Sequence, residues 1–269
     1  MELGHNRPML RITASQPHPL FDIATTRRLE QAAAAALLPH TLMQRAGLAT
    51  ARLALALAPH ARTVWVACGP GNNGGDGLEA AAHLERWGKH TVVTWLGDEV
   101  SAPPDSLAAL ARARQAGVRF LEAPPAPLAP QDLCIDALLG IGASRAPQGR
   151  MAEWIDALQQ SAATVLAVDV PSGLNADTGT VAITSVADHV EPIRAAGLFH
   201  AKHTLSLLTL KPGLFTAQGR DGAGQVWFDD LGVISAGETP VAMLSAPPTT
   251  TARLHATHKG SYGDVVVIG

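Results

Sequence analysis

Aromatic side chains make up only 4% of the 269 residues, and there are only two cysteines, Cys68 and Cys134. The shortage of cysteine excludes a disulfide framework. Both cysteines lie inside apolar runs and read as buried, reduced thiols. Charged residues amount to 16% with a formal net charge of -3. That balance argues weakly against a nucleic-acid partner, which usually needs a clustered basic face. No stretch reaches the roughly 18 consecutive apolar residues of a membrane span. The first residues, MELGHNRPMLRITASQPHP, lack the apolar run of a secretory signal, so a cytoplasmic location is the default expectation. What the chain does have is 47% hydrophobic residues, enough for a sizeable core. With so few aromatics and abundant alanine, that core should be aliphatic.

The pattern along the chain alternates. Helical spacing over 21–37 and 40–58 precedes a short apolar strand, Thr63–Cys68. Helices are expected over 78–88, 105–116 and 151–160. Strands are expected at His90–Leu96, 118–121, Asp132–Leu139 and Ala163–Val170, with late strands at Thr204–Leu210 and Gly224–Phe228. Such alternation implies βαβ units and a parallel sheet. The strands are apolar throughout, as when helices cover both faces. The fold class expected is therefore α/β, a Rossmann-like three-layer α/β/α domain with a mainly parallel sheet. Residues 235–253, rich in Pro, Ser, Thr and Ala, read as a linker. A new motif, HKGSYGDVVVIG, then begins.

Three segments carry chemistry. The first, Gly69-Pro70-Gly71-Asn72-Asn73-Gly74-Gly75-Asp76-Gly77, follows a strand and opens a helix. Glycines there permit close backbone approach, and a helix N-terminus offers free N–H groups to a phosphate. It is neither the dinucleotide fingerprint nor a Walker loop. Turn chemistry is the plainer alternative. The second, Asp136-Ala137-Leu138-Leu139-Gly140-Ile141-Gly142-Ala143-Ser144-Arg145, puts a carboxylate in an apolar strand. There it is costly unless paired or bound to a cation, although it could simply cap the following turn. The third, Asp169-Val170-Pro171-Ser172-Gly173-Leu174-Asn175, ends another strand. Ligands of open α/β sheets bind outside the carboxyl ends of the strands, so the three segments should meet in one crevice. Asn73, Asp136 and Ser172 offer one carboxylate and neutral oxygens, a set suited to a hard, monovalent cation. Asp169 is the candidate acid–base group.

GPGNNGGDG, DALLGIG and VDVPSGLNADTG, in that order and with the flanking HTLMQRAG and LKPGL, resemble the NAD(P)H-hydrate epimerase family, also called the YjeF N-terminal domain. The resemblance covers about residues 22–233. It implies an isomerase of cofactor repair that interconverts the R and S forms of hydrated NADH or NADPH at the C6 hydroxyl. It implies substrate binding by Asn72, Asn73, Gly74, Gly75 and Asp76, and by Gly140, Ile141, Gly142, Ala143, Ser144, Arg145 and Ala146, with Asp169 in contact with substrate. It implies potassium held by Asn73, Asp136 and Ser172. It also implies an epimerase domain over 1–234, a linker over 235–253 and, over 254–269, the start of an ADP-dependent NAD(P)H-hydrate dehydratase domain, fused or acting separately. It also allows a homodimer, a state that the family often adopts. Departures from the pattern are Glu79, where the family usually has a small or apolar residue and where a buried charge would disturb helix packing, Ala146 in place of proline, and a longer stretch at 187–202. The nearby His189, His200 and His203 match no zinc spacing and read as incidental. A non-catalytic scaffold of the same fold would carry degraded motifs, whereas Asp76, Asp136, Asp169 and Ser172 are all present. An NAD-dependent dehydrogenase would need the missing fingerprint.

Overall fold

The computed structural model describes residues 8–125, 128–142, 146–181, 200–235 and 237–247. Ala143, Ser144 and Arg145, positions 187–199 of the longer stretch and the motif at 258–269 lie outside the described residues. Two short strands come first, β1 (Leu10–Arg11) and β2 (His18–Leu20), followed by helices α1 (Ile23–Ala36) and α2 (Thr41–Leu57). Then come β3 (Thr63–Cys68), α3 (Asn72–Arg86), β4 (His90–Trp95), α4 (Pro104–Gln115) and β5 (Arg119–Leu121). The second half runs β6 (Leu133–Ala137), α5 (Arg150–Gln160), β7 (Thr164–Val168), β8 (His203–Leu207), a 3₁₀ turn (Pro212–Leu214), α6 (Gly219–Gly222), β9 (Gln225–Asp229) and β10 (Ala242–Leu244).

Eight strands form one sheet in the order β1-β9-β8-β7-β6-β3-β4-β5. All neighbours are parallel except β1, which runs antiparallel along β9. The chain leaves β3 toward β4 and β5, then crosses to the other side of β3 for β6 and everything after it. Right-handed crossovers in opposite directions place their helices on opposite faces. Accordingly α2, α3 and α4 pack with Val64, Val66 and Cys68 on one face. Helix α5 packs through Trp154, Ile155 and Leu158 with Trp65 and Ala67 on the other. The topological switch between β3 and β6 is where such a sheet opens a crevice.

The expected elements are present, and every end but one lies within three residues of its expected position. The largest displacement is instructive. The sequence pattern predicts α3 from residue 78, but the helix starts at Asn72, so Gly74, Gly75 and Gly77 are helical. Each helical glycine costs about 1 kcal/mol relative to alanine. Space explains their presence. A Cβ at Gly74 would lie 2.0 Å from the Gly69 carbonyl oxygen, one at Gly75 2.5 Å from the Met43 side chain, and one at Gly77 2.6 Å from the Ala137 Cβ. The glycines bring the helix down onto the sheet more than they turn the chain. Part of the linker segment is also ordered, because β10 pairs antiparallel with β2.

Candidate active site

The two loops at the switch are stitched together first by backbone. Gly69 N–H donates to Ala137 O at 2.9 Å, and a Cβ at Gly69 would lie only 1.8 Å from the Leu138 carbonyl oxygen. Beneath the loop after β6, Asp136 is fully buried, 0% exposed. Its carboxylate accepts from Ser172 Oγ at 2.6 Å, Ser172 N at 2.9 Å and Leu138 N at 3.2 Å. Ser172 Oγ in turn accepts from Leu139 N at 2.9 Å. Burial pushes the Asp136 carboxyl up to about 6, against the pull of those hydrogen bonds. Asn73 completes the cluster: its amide lies 3.2 Å from where a Cβ on Gly140 would stand, and its Nδ2 is buried with no hydrogen-bond partner. Asn73, Asp136 and Ser172 thus converge around the backbone of 138–140. No cationic side chain bonds to Asp136 among the described residues.

Above this cluster lies a cavity of about 750 Å³, a size usual for ligand sites. Asn72, Asn73, Asp76, Gly140, Ile141, Gly142 and Asp169 all line it. Asp136 and Ser172 lie behind its floor, Gly74 and Gly75 are packed into the fold, and Ala146 does not reach it. Helix α3 opens into the cavity with no side-chain cap on its first turn, leaving N–H groups for an anion. The turn after Ser172 is structural: Asn175 Oδ1 accepts from the backbone of Asp177 and Thr178, both at 3.0 Å, while Asp177 caps α1 at Ile23 N, 2.8 Å.

Asp169 follows β7 with φ of 67°, a left-handed conformation that a non-glycine residue adopts at a cost of order 1 kcal/mol or more. It is held there by its own N–H bonded to Leu205 O at 2.8 Å and by Lys211, whose Nζ donates to Asp169 Oδ1. Lys211 is 0% exposed and also donates to Leu207 O at 2.6 Å. In sequence Lys211 stands only as part of the LKPGL segment, with no role of its own. A lysine between buried apolar residues needs a buried anion, and that was the available signal. Asp76 lines the cavity with no side-chain hydrogen bond or ion pair among the described residues. Burial pushes its carboxyl well above the ordinary 3.8, helped by the charges of Asp169, Glu30, Glu79 and Asp105. Water in the cavity reaches this side chain, but protein encloses its other sides, so the upward direction stands.

Helices α1 and α4 contribute residues that no motif marked. Arg27, Glu30 and Asp105 line the cavity. Burial raises the Glu30 carboxyl, with Asp169 adding to the rise and Lys211 and Arg27 opposing it. Asp105 Oδ1 lies 2.5 Å from His40 Nδ1. Glu79, whose charge threatened helix packing, is 2% exposed and bonded to Arg112 Nε of α4 at 2.6 Å. Gly47 of α2 leaves room for it, since a Cβ there would lie 2.3 Å from the Glu79 Cβ. Both cysteines are free and buried; burial raises both thiols, that of Cys134 to about 11. Among the described residues no cluster of three His, Cys, Asp or Glu could hold a metal, and no helix is long and apolar enough to cross a membrane.

Residues 39–213 match the family model described as YjeF-related protein N-terminus. The bifunctional NAD(P)H-hydrate repair enzyme Nnr of Escherichia coli K12 is 35% identical over 97% of this chain and 50% of its own length. The NAD(P)H-hydrate epimerase of Rhodopirellula baltica is 33% identical over 71% of this chain and 75% of its own. The crystal structure of the yeast protein ynu0 shares the fold, with a TM-score of 0.61 at 20% identity over 78% of this chain and 86% of that one. The chain spans about half the length of the bifunctional relatives it matches. On the family match and the epimerase relative together, this chain belongs to the NAD(P)H-hydrate epimerase family, the YjeF-related N-terminal domains.

Proposed function

We propose that the chain epimerises hydrated NADH or NADPH at the C6 hydroxyl, supplying the S form to an ADP-dependent dehydratase. The observation that carries this is the Asp169–Lys211 pair, fixed in a strained conformation in a cavity beside an uncapped helix N-terminus. The reduced ring needs no redox partner for inversion. Its nitrogen lone pair expels the hydroxyl as water, giving a planar iminium carbon, and water returns on the other face. The protein must move protons to and from those oxygens and hold the dinucleotide still. Asp169 is placed for proton transfer, worth typically about 10²–10⁴-fold. Lys211 orients it. The first turn of α3 and the 140–142 loop hold the phosphates and the ring.

Potassium fits the cluster behind the floor. A fully buried carboxylate, a serine hydroxyl and an amide with one unpartnered terminal atom form an oxygen-rich set, and the amide's oxygen and nitrogen exchange places by a half-turn. Asn73, Asp136 and Ser172 would hold the ion. It would neutralise Asp136 and fix the 138–140 loop under the substrate. The cytoplasm, where potassium is the abundant cation, is the matching location. The same family reading carries a second domain beyond residue 253, a binding partner in the dehydratase and self-association as a dimer, which sedimentation would test.

The test follows both epimers of hydrated NADPH by chromatography. Wild type should equilibrate them, and Asp169→Asn should slow this by at least about 100-fold while retaining binding. Unchanged turnover in that variant would overturn the assignment.

A further inference from the structure

Inversion at a planar carbon sets a demand that Asp169 alone does not meet: protons must be handled on both faces of the ring. In glycoside hydrolysis with inversion the same demand is met by two carboxyl groups, one acid and one base, spaced to admit a water molecule. The cavity contains such a second group. Asp76 projects into it from α3, which follows β3, while Asp169 enters from the end of β7. In the sheet order β6 lies between those strands, so the strand ends that lead into the two residues are two strand spacings apart, about 9–10 Å. The loop Leu138–Gly140 also lines the cavity, and a ring standing on its edge there would turn one face toward each carboxyl. Asp169 is tied to Lys211, whereas Asp76 has no side-chain partner among the described residues.

The charged groups around the two carboxyls differ in kind. Lys211 faces Asp169. The charges that act on Asp76 are those of Asp169, Glu30 of α1, Glu79 of its own helix and Asp105 of α4, all acidic. At Glu30, which also lines the cavity, burial and Asp169 raise the carboxyl while Lys211 and Arg27 oppose the rise.

We propose that Asp76 is the second acid–base group of the epimerisation, serving the face of the ring that Asp169 does not; this rests on the epimerase reading above. In one direction the Asp76 carboxyl gives its proton to the C6 hydroxyl. The C6–O bond breaks with its electron pair on oxygen, which leaves as water, and the ring-nitrogen lone pair forms the C=N bond. Water on the other face then attacks C6. The C=N electrons return to nitrogen, and the Asp169 carboxylate takes the proton. The product has the opposite configuration, one oxygen has come from solvent, and one proton has passed from Asp76 to Asp169. The reverse reaction restores both.

The experiment gives each separated epimer of hydrated NADPH to the protein in ¹⁸O-labelled water with potassium present. It reads label at C6 by mass spectrometry and configuration by chromatography, above the enzyme-free rate. Wild type should label and invert both epimers. Asp76→Asn should lose inversion by at least about 100-fold yet still label one epimer with its configuration retained, through Asp169 acting alone on its own face. Asp169→Asn should label only the other epimer. Asp76→Glu, which keeps a carboxyl, should restore part of the missing exchange. Inversion by Asp76→Asn within about tenfold of wild type would overturn the proposal. So would equal labelling of both epimers, or of neither, by an Asp76→Asn protein that still binds substrate. A wild type that neither labels nor inverts would instead remove the epimerase reading itself.

Discussion

Replacing Lys211 by methionine should be one of the most damaging single changes in this fold. Lys211 Nζ is buried and bonded to Asp169, to Leu207 O at 2.6 Å and, more weakly, to Ser206 Oγ at 3.5 Å. Methionine matches the stem but leaves Asp169 without its cation. Removing one partner of a buried pair costs about 3–5 kcal/mol. The Asp169 side chain is 12% exposed to cavity water, which places the expectation at the low end, about 3 kcal/mol. At roughly 2–4 °C per kcal/mol for a domain of this size, the melting temperature should fall by about 6–12 °C. Asp169→Asn strands the ammonium and should cost a similar amount. The double variant Asp169→Asn/Lys211→Met strands neither charge, so its loss should fall short of the sum by about 2 kcal/mol or more. Calorimetry of the four proteins measures the cycle. A Lys211→Met loss below about 1 kcal/mol, or strict additivity, would refute the view that this pair is a coupled buried unit.

Other expectations concern the same cavity. The Asp76 carboxyl titrates higher in the folded chain than in the unfolded one. Its contribution is therefore fully present below the ordinary value of 3.8 and is lost as pH rises through the raised one. Asp76→Asn should melt higher than wild type at pH 8 and with little difference near pH 4; a lower melting point at pH 8 would contradict this. Potassium should raise the melting temperature where lithium does not, and Ser172→Ala should reduce that difference; equal effects of the two salts on wild type would exclude the cation site. Arg27 lines the cavity beside Gly142 and makes no side-chain bond among the described residues. Arg27→Ala should raise KM for the phosphate-bearing substrate about tenfold, the loss of one charge-assisted contact, with kcat unchanged. An unchanged KM would remove Arg27 from the binding surface.

Sheet and site were legible to different depths. The apolar runs at β3, β6 and β7 marked parallel strands, because strands covered on both faces must be apolar along their length. Parallel order obliges the loops after them to share one edge, so the convergence of Asn73, Asp136, Asp169 and Ser172 is legible in the sequence alone. The start of α3 could not. Glycine and asparagine speak locally for a turn, and only the tertiary contacts of Gly74, Gly75 and Gly77 with Gly69, Met43 and Ala137 explain why they are helical. Strands β1, β2 and β10 are two or three residues long, too short for any period to show. Arg27 and Glu30 look like the solvated face of an amphipathic helix, and nothing in their spacing says that α1 borders a cavity. Glu79 looked like a packing fault because its remedy, Arg112 and the missing side chain of Gly47, lies on two other helices.

The most direct measurement is recovery of cofactor. The R epimer of hydrated NADPH is mixed with this chain, potassium and an excess of a dehydratase specific for the S epimer, and the return of NADPH absorbance is followed. The expected result is recovery much faster than spontaneous epimerisation, and abolished by Asp169→Asn. Recovery at the spontaneous rate, with a folded chain and potassium present, would contradict the epimerase function.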